Sequence, residues 1–219
     1  MWASRRALTI AAALVVCLRL PCQADDAAEI AGLIDRHIQQ RLDAEGLSPA
    51  VPASDAEFLR RVCLDLHGVV PSAERVRQFL ESANRQKRIE LVDSLLADPR
   101  FGQHFGDLWR GYLLTPAVNE QRKEAQRFAD LLADRFNRNQ GWDQIASELL
   151  TASGKIEDNP AVVYLIEGRY PLSVTDLTDL SSRYFLGLRL NCAQCHDHPF
   201  VPWKRQDYWG MAAFFAQIQ

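Results

Sequence analysis

The chain has 219 residues, of which 47% are hydrophobic and 24% are charged. It is therefore long enough to bury a core, and its composition predicts one globular domain rather than a disordered chain. The formal net charge is only −3. This small charge gives no electrostatic reason to expect binding to nucleic acid or to an anionic membrane.

The N-terminal residues predict a signal peptide. Arg5-Arg6 supplies the positive charge, and a short apolar run follows from Ala7 to Leu18. Cys22 and Ala24 are the first and third residues of Cys22-Gln23-Ala24, and small residues at these positions suit signal peptidase. We therefore predict cleavage after Ala24, which gives a signal peptide of residues 1–24. The apolar run is short for a membrane span, although an uncleaved anchor helix is the alternative interpretation. Export to the periplasm or the cell surface, with no transmembrane segment left after cleavage, is the expectation.

Beyond the signal peptide the apolar residues recur at helical spacing almost throughout, which predicts an all-α, irregular multi-helix domain over residues 25–219. Helix signals include a capping box at Ser54 to Glu57 and a stop at Gly68. Only the run from Ala161 to Ile166 could form a short strand. The predicted helices are Ile30–Leu42, Ser54–Leu66, Pro71–Leu80, Arg88–Ala97, Phe101–Tyr112, Glu120–Asn139, Trp142–Thr151, Ser173–Phe185 and Lys204–Gln219.

The most specific chemical signal is Cys192-x-x-Cys195-His196, which we place in a turn before the last helix. This spacing is typical of c-type haem attachment. The two thiols can add to the two vinyl groups of one porphyrin edge, and the imidazole then lies beneath the iron as its proximal ligand. The motif comes late in the chain, whereas small cytochromes c carry it near their start. We therefore expect a domain that is not an ordinary small cytochrome.

Two other interpretations of the motif remain open. In an exported protein, Cys192 and Cys195 could form a disulfide or a dithiol redox pair. Alternatively, the pair could bind zinc together with His196 or His198, and Cys63 could complete the tetrahedral site. Cys63, however, lies on the apolar stripe of its predicted helix, where a buried free thiol is common.

If a haem is present, its sixth ligand has two main candidates. Met211 lies on the helix after the motif, and a methionine ligand would raise the reduction potential. His104 lies beside an aromatic helix face, and His67 is a further candidate. A five-coordinate site is the remaining alternative. The aromatic residues that follow the motif could form an apolar wall for a porphyrin or simply belong to the core. They are Phe200, Trp203, Tyr208, Trp209, Phe214 and Phe215.

Three blocks of the sequence resemble an exported family known chiefly from planctomycetes, a domain of unknown function often named cytochrome c-like. The blocks are residues 60–71, residues 91–101 and the stretch from Phe185 to Phe215, of which the last is the most specific. The resemblance implies a helical exported domain that normally leads into a second domain. It also implies a haem site at Cys192, Cys195 and His196, but it supplies no reaction.

Two classes of function follow from the sequence. The first is an exported redox or electron-transfer module, which would require a redox partner or a C-terminal partner domain. The second is a non-redox structural or binding domain of an extracytoplasmic assembly, with the cysteines as a disulfide or a zinc site. The sequence contains no nucleophile elbow, phosphate loop or zinc-protease helix, so it does not indicate an independent enzyme.

Overall fold

The computed structural model describes residues 24–114, 122–165 and 174–216. The predicted signal peptide lies outside these residues except for Ala24. The chain divides into two units: the first ends at Pro52, and the second begins at Ala53. The described residues form nine α-helices and two 3-10 turns and contain no strand, which confirms the all-α prediction. None of these helices is long and apolar enough to cross a membrane.

The first unit contains one described helix, α1, over Ala24–Ala44. The helix follows the predicted apolar periodicity. Ile30, Leu33, Ile34 and Ile38 are exposed on it, each by between 46% and 58%.

The second unit contains the remaining helices. They are α2 (Asp55–His67), α3 (Ala73–Glu81), α4 (Lys87–Leu96), α5 (Arg100–Leu113), α6 (Arg122–Asn137), α7 (Trp142–Leu150), α8 (Val174–Phe185) and α9 (Arg205–Ala212). The two 3-10 turns are η1 (Pro160–Tyr164), between α7 and α8, and η2 (Asn191–Gln194), between α8 and α9. The predicted helix start at Glu120 and the predicted cap at Ser173 lie outside the described residues.

The two ends of α2 form as the sequence predicts. At the N-terminus, the Ser54 hydroxyl accepts a hydrogen bond from the Glu57 backbone N–H at 3.2 Å. At the C-terminus, Gly68 has a φ of 69°, and its N–H donates to the Leu64 carbonyl at 2.9 Å. Glycine takes this left-handed conformation without the steric cost that a side chain adds.

Two hydrophobic clusters join most helices of the second unit, and a third joins η2 to α9. The smaller of the first two joins α2, α3 and α4 through Leu59, Cys63, Phe79, Leu91 and Leu95. The larger one joins the helices from α5 to α8 with η1. Its fully buried side chains include Leu113, Phe128, Leu132, Ile145, Leu149, Val163, Tyr164 and Leu177. Burial of this much apolar surface is the main favourable contribution to folding.

Helices α5 and α6 approach each other closely at two glycines of α5. A Cβ atom on Gly106 would lie 2.5 Å from the Ala129 carbonyl oxygen of α6. A Cβ atom on Gly102 would collide with the Ala133 carbonyl and the Asn137 side chain. The Gly102 N–H instead donates to Asn137 Oδ1 at 2.9 Å. Glycine at both positions therefore permits the contact between the two backbones.

Two predicted elements differ in the structure. The possible strand from Ala161 is wrong, because residues 160–164 form η1 with Asn159 as its N-cap. The helix predicted to run from Lys204 to Gln219 ends at Ala212. Beyond it, Phe214 and Phe215 donate to the carbonyls three residues earlier, a 3-10 pattern that tightens the last turn. This turn brings Phe215 into the larger cluster.

Candidate functional site

The turn that carries Cys192 is anchored through its apolar residues. Leu190 and Ala193 are buried against Tyr208 and Ala212 of α9. Because Ala193 is the inward residue of η2, its neighbours on the turn point outward. Cys192, Cys195 and His196 are all exposed. The reactive side chains of the motif are thus accessible at the surface. The buried side chains of Leu190 and Ala193 hold the turn in place.

Hydrogen bonds from α9 and the preceding loop fix the shape of the turn. The Trp209 indole Nε1–H donates to the Gln194 carbonyl at 3.1 Å. The Arg205 backbone N–H donates to Asp197 Oδ1 at 2.9 Å. The His198 N–H donates to the Trp203 carbonyl at 2.8 Å, and His198 Nδ1 accepts from the Phe200 N–H at 3.2 Å. His198 therefore caps this turn with its own side chain.

The ring of His196 is oriented by a neighbouring carbonyl. Its Nδ1 lies 2.7 Å from the Asp197 carbonyl oxygen. Since a carbonyl can only accept a hydrogen bond, Nδ1 carries the proton and Nε2 presents its lone pair. A histidine that binds a metal through one nitrogen usually donates from the other in this way. In this tautomer the Nε2 atom of His196 carries no proton.

The three described cysteines lie in two different environments, and all three are free thiols. Cys63 is only 3% exposed and belongs to the cluster between α2, α3 and α4. Burial raises the pKa of its thiol. Within the described ranges, no three side chains of the His, Cys, Asp or Glu type are grouped as a metal site.

The predicted distal ligands lie on different helices. Met211 is on α9, where it contacts the larger cluster and lines an apolar cleft of about 690 Å³ with Phe185 and Phe215. His104 is on α5, packs edge-on against Phe105 and lies beside Gly68. These contacts place Met211 one helix after the motif and His104 next to the C-terminal end of α2.

The third candidate for a distal ligand, His67, is 7% exposed, and its Nε2 lies 2.9 Å from the Leu95 carbonyl. This nitrogen is therefore engaged in packing α2 against α4.

The aromatic residues after the motif divide into two groups. Tyr208 and Phe215 are buried and belong to the core. The other four are exposed by between 36% and 90% and lie near the turn or at the end of α9: Phe200, Trp203, Trp209 and Phe214. Exposed large apolar side chains next to one another often mark a binding surface.

Asp179 of α8 and Tyr208 of α9 lie close to each other, and Tyr208 packs against Ala193 of the motif turn. The sequence alone did not indicate this pairing. Tyr208 is fully buried, and its hydroxyl donates to the Thr175 carbonyl at 3.4 Å. Burial raises the pKa of Asp179, whereas the nearby Tyr208 hydroxyl acts to lower it. Burial also raises the pKa of Tyr208, and the nearby Asp179 raises it further. The residue types were visible in the sequence, but their contact depends on how α8 packs on α9.

One comparison with known proteins gives a match. The family model named PSCyt2, described as a protein of unknown function (DUF1549), matches residues 33–219. No curated protein and no solved structure matches the chain. The family match covers every motif residue considered above.

Proposed function

The chain belongs to the PSCyt2 family, and we propose that it is an exported redox or electron-transfer module with a covalently attached c-type haem. The observation that carries the proposal is the arrangement of Cys192, Cys195 and His196. Two free, exposed thiols at the attachment spacing precede an exposed imidazole. The Nδ1 atom of that imidazole is already hydrogen-bonded to the Asp197 carbonyl.

These residues fit the chemistry of a c-type haem. Cys192 and Cys195 would hold the group through two thioether bonds, and His196 Nε2 would be the proximal ligand. The hydrogen bond from Nδ1 to the Asp197 carbonyl would fix the ring and increase the basicity of Nε2. When bound, the haem supplies a centre that accepts and releases one electron. The exposed Trp209 and Phe200 would offer apolar surface beside it.

The sixth iron ligand remains a choice between Met211 and His104 in this proposal. A thioether ligand raises the reduction potential of a haem relative to a second imidazole. The measured potential of the loaded protein would therefore distinguish the two. Electrons would pass to a redox partner or to a C-terminal partner domain, in the periplasm or at the cell surface.

The test is to express the chain in a host that attaches c-type haem, and to measure pyridine haemochrome absorbance and intact mass. The denatured wild-type polypeptide should gain the mass of one haem. A Cys192→Ser, Cys195→Ser variant should lose this gain. A matched Cys63→Ala variant should keep it, because Cys63 lies in the core cluster away from the turn surface. Colourless wild-type protein with the mass of the bare polypeptide contradicts the proposal.

A second function is a non-redox structural or binding domain. It is favoured by the hydrogen bonds that the turn already makes with Trp203, Arg205 and Trp209, which hold its shape without a cofactor. In this case the bare polypeptide would lose the mass of two hydrogens through a disulfide. Stoichiometric zinc in elemental analysis would instead support a zinc site at the same cysteines.

A further inference from the structure

Besides the apolar cleft at Met211, the second unit has a polar cleft among α2, α3 and the start of α5. Its volume is about 380 Å³, which is within the range of sites for small molecules. It is lined by Cys63, His67, Val69, Val70, Pro71, Ser72, Arg75 and Arg100, none of which is acidic. The cleft is therefore a small concave surface with two guanidinium groups and a short apolar wall.

The two arginines differ in how far they are already neutralised. Arg100 forms a two-pronged pair with Asp98, at 3.0 Å from Nε to Oδ1 and 2.6 Å from Nη2 to Oδ2. Arg77, on the same helix as Arg75, pairs with Glu74 at 2.6 Å. Arg75 itself is half-buried and forms no ion pair with any carboxylate of the described residues. A half-buried guanidinium without a counter-charge favours an anion.

Both guanidinium groups act on the same buried thiol. Burial raises the pKa of Cys63, while Arg75 and Arg100 each act to lower it. Both cations line the same cleft as this thiol, although the Arg100 side chain is also 52% exposed.

The cleft also contains a polar atom suited to a hydroxyl. His67 is 7% exposed, and its Nε2 must donate to the Leu95 carbonyl, which can only accept. In the neutral ring, Nδ1 is then an acceptor. A hydroxyl could donate a hydrogen bond to this nitrogen, whereas a carboxylate could not.

We propose that this cleft binds a small hydroxycarboxylate. Its carboxylate would pair with the Arg75 guanidinium, with Arg100 beside it still held by Asp98, and its hydroxyl would donate to His67 Nδ1. Its short carbon skeleton would contact the apolar side chains at positions 69–71. Arg75 is well suited to this role because its planar fork matches a carboxylate and forms no ion pair within the described residues. The proposal does not depend on haem attachment.

Calorimetric titration of the full chain tests the proposal with lactate, galacturonate, propionate and sulfate as probes. Lactate or galacturonate should bind saturably, and the better of the two identifies the size of the ligand. Propionate, which lacks the hydroxyl, should bind more weakly than lactate, and sulfate more weakly still. Arg75→Gln should weaken binding by about tenfold or more through loss of a charged hydrogen bond.

The matched control is Arg77→Gln, because Arg77 lies on the same helix and pairs with Glu74 outside the cleft. It should leave the affinity unchanged. His67→Gln should reduce the preference for lactate over propionate. In wild-type protein, lactate should shift the backbone amide NMR signals of residues 72–75, a readout that needs no variant. Absence of saturable binding at millimolar concentrations, or equal affinity in Arg75→Gln and wild-type protein, overturns the proposal.

Discussion

The α5–α6 interface and the turn around Cys192 are stabilised in different ways. At the interface, Phe128 and Leu132 are 0% exposed, and Gly102 and Gly106 let the two backbones touch. At the turn, Ala193 alone among the central residues is fully buried, and the backbone is held by hydrogen bonds from α9. Stability thus comes mainly from one region, and chemical reactivity is exposed in the other.

This separation means that the three motif side chains contribute little to folding. Cys192, Cys195 and His196 are exposed, so their apolar contacts are few. Substitutions in the two regions should therefore have different consequences. Changes at the interface should lower the free energy of unfolding, whereas changes at the turn should alter chemistry with little effect on stability.

The largest expected effect is that of Phe128→Ala. Phe128 is fully buried in the larger cluster, so its removal should cost about 3–5 kcal/mol of unfolding free energy. The matched change Phe200→Ala in the turn, where the ring is 90% exposed, should stay within about 0.5 kcal/mol. Guanidinium denaturation followed by circular dichroism measures both. Similar losses for the two variants would show that the contrast between the regions is wrong.

A smaller effect should follow from Gly106→Ala. The added methyl group would meet the Ala129 carbonyl, so α5 and α6 must separate at a cost of about 1–3 kcal/mol. Gly111→Ala is the control on the same helix, because no atom lies within 4 Å of its added Cβ. This control should be neutral or stabilising by up to about 1 kcal/mol. Thermal denaturation of both variants would check the prediction, and equal melting temperatures would contradict it.

At the turn, Trp209→Phe should cost about 1 kcal/mol, because it removes the hydrogen bond to the Gln194 carbonyl. Trp203→Phe is a suitable comparison, since Trp203 holds the turn through its backbone carbonyl, which the substitution keeps. Hydrogen exchange at the amides of residues 191–195 should increase in the first variant only. Unchanged exchange in Trp209→Phe would mean that other contacts determine the shape of the turn.

The smallest expected effect is a loss of stability at acid pH, caused by an ion pair between α6 and α7. Arg135 of α6 donates to Glu148 of α7 at 2.7 and 2.9 Å, which lowers the pKa of Glu148. A lowered folded-state pKa stabilises the protein above the ordinary carboxyl value of about 4.3. This contribution, below about 1 kcal/mol for a partly exposed pair, is lost as pH falls through the folded-state pKa.

The measurement is urea denaturation of wild-type protein and Glu148→Gln at pH 7 and pH 3. Wild-type protein should lose more stability between these two values, because only it has the carboxylate to protonate. An equal loss in both proteins would mean that the pair does not contribute to acid sensitivity.

Most helices could be predicted from local sequence, because their signals are local. Ser54 and Gly68 mark the ends of α2, and both act through contacts within four residues. The run from Ala161 was misleading because it is apolar and β-branched, although Asn159 and Pro160 before it favour a turn. There the Asn159 side chain accepts from the Ala161 N–H at 3.2 Å, and local turn chemistry determines the outcome.

The site was predictable only in part. The identities and spacing of Cys192, Cys195 and His196 were visible, and the burial of Cys63 followed from its helix face. The exposure of the motif and the tautomer of His196 depend on the tertiary fold and on one backbone carbonyl. The cleft that Arg75 and Arg100 share requires both α3 and α5 to pack on α2, which no local pattern encodes.

The glycines of α5 also have an evolutionary consequence. A side chain at position 106 would collide with the α6 backbone. Every residue has this backbone, so no substitution on α6 can relieve the collision. Position 102 faces the side chain of Asn137 as well as a backbone carbonyl. Across relatives, we therefore expect both position 102 and position 106 to remain glycine. An alignment in which bulky residues occur freely at 106 would imply a different helix spacing in those proteins.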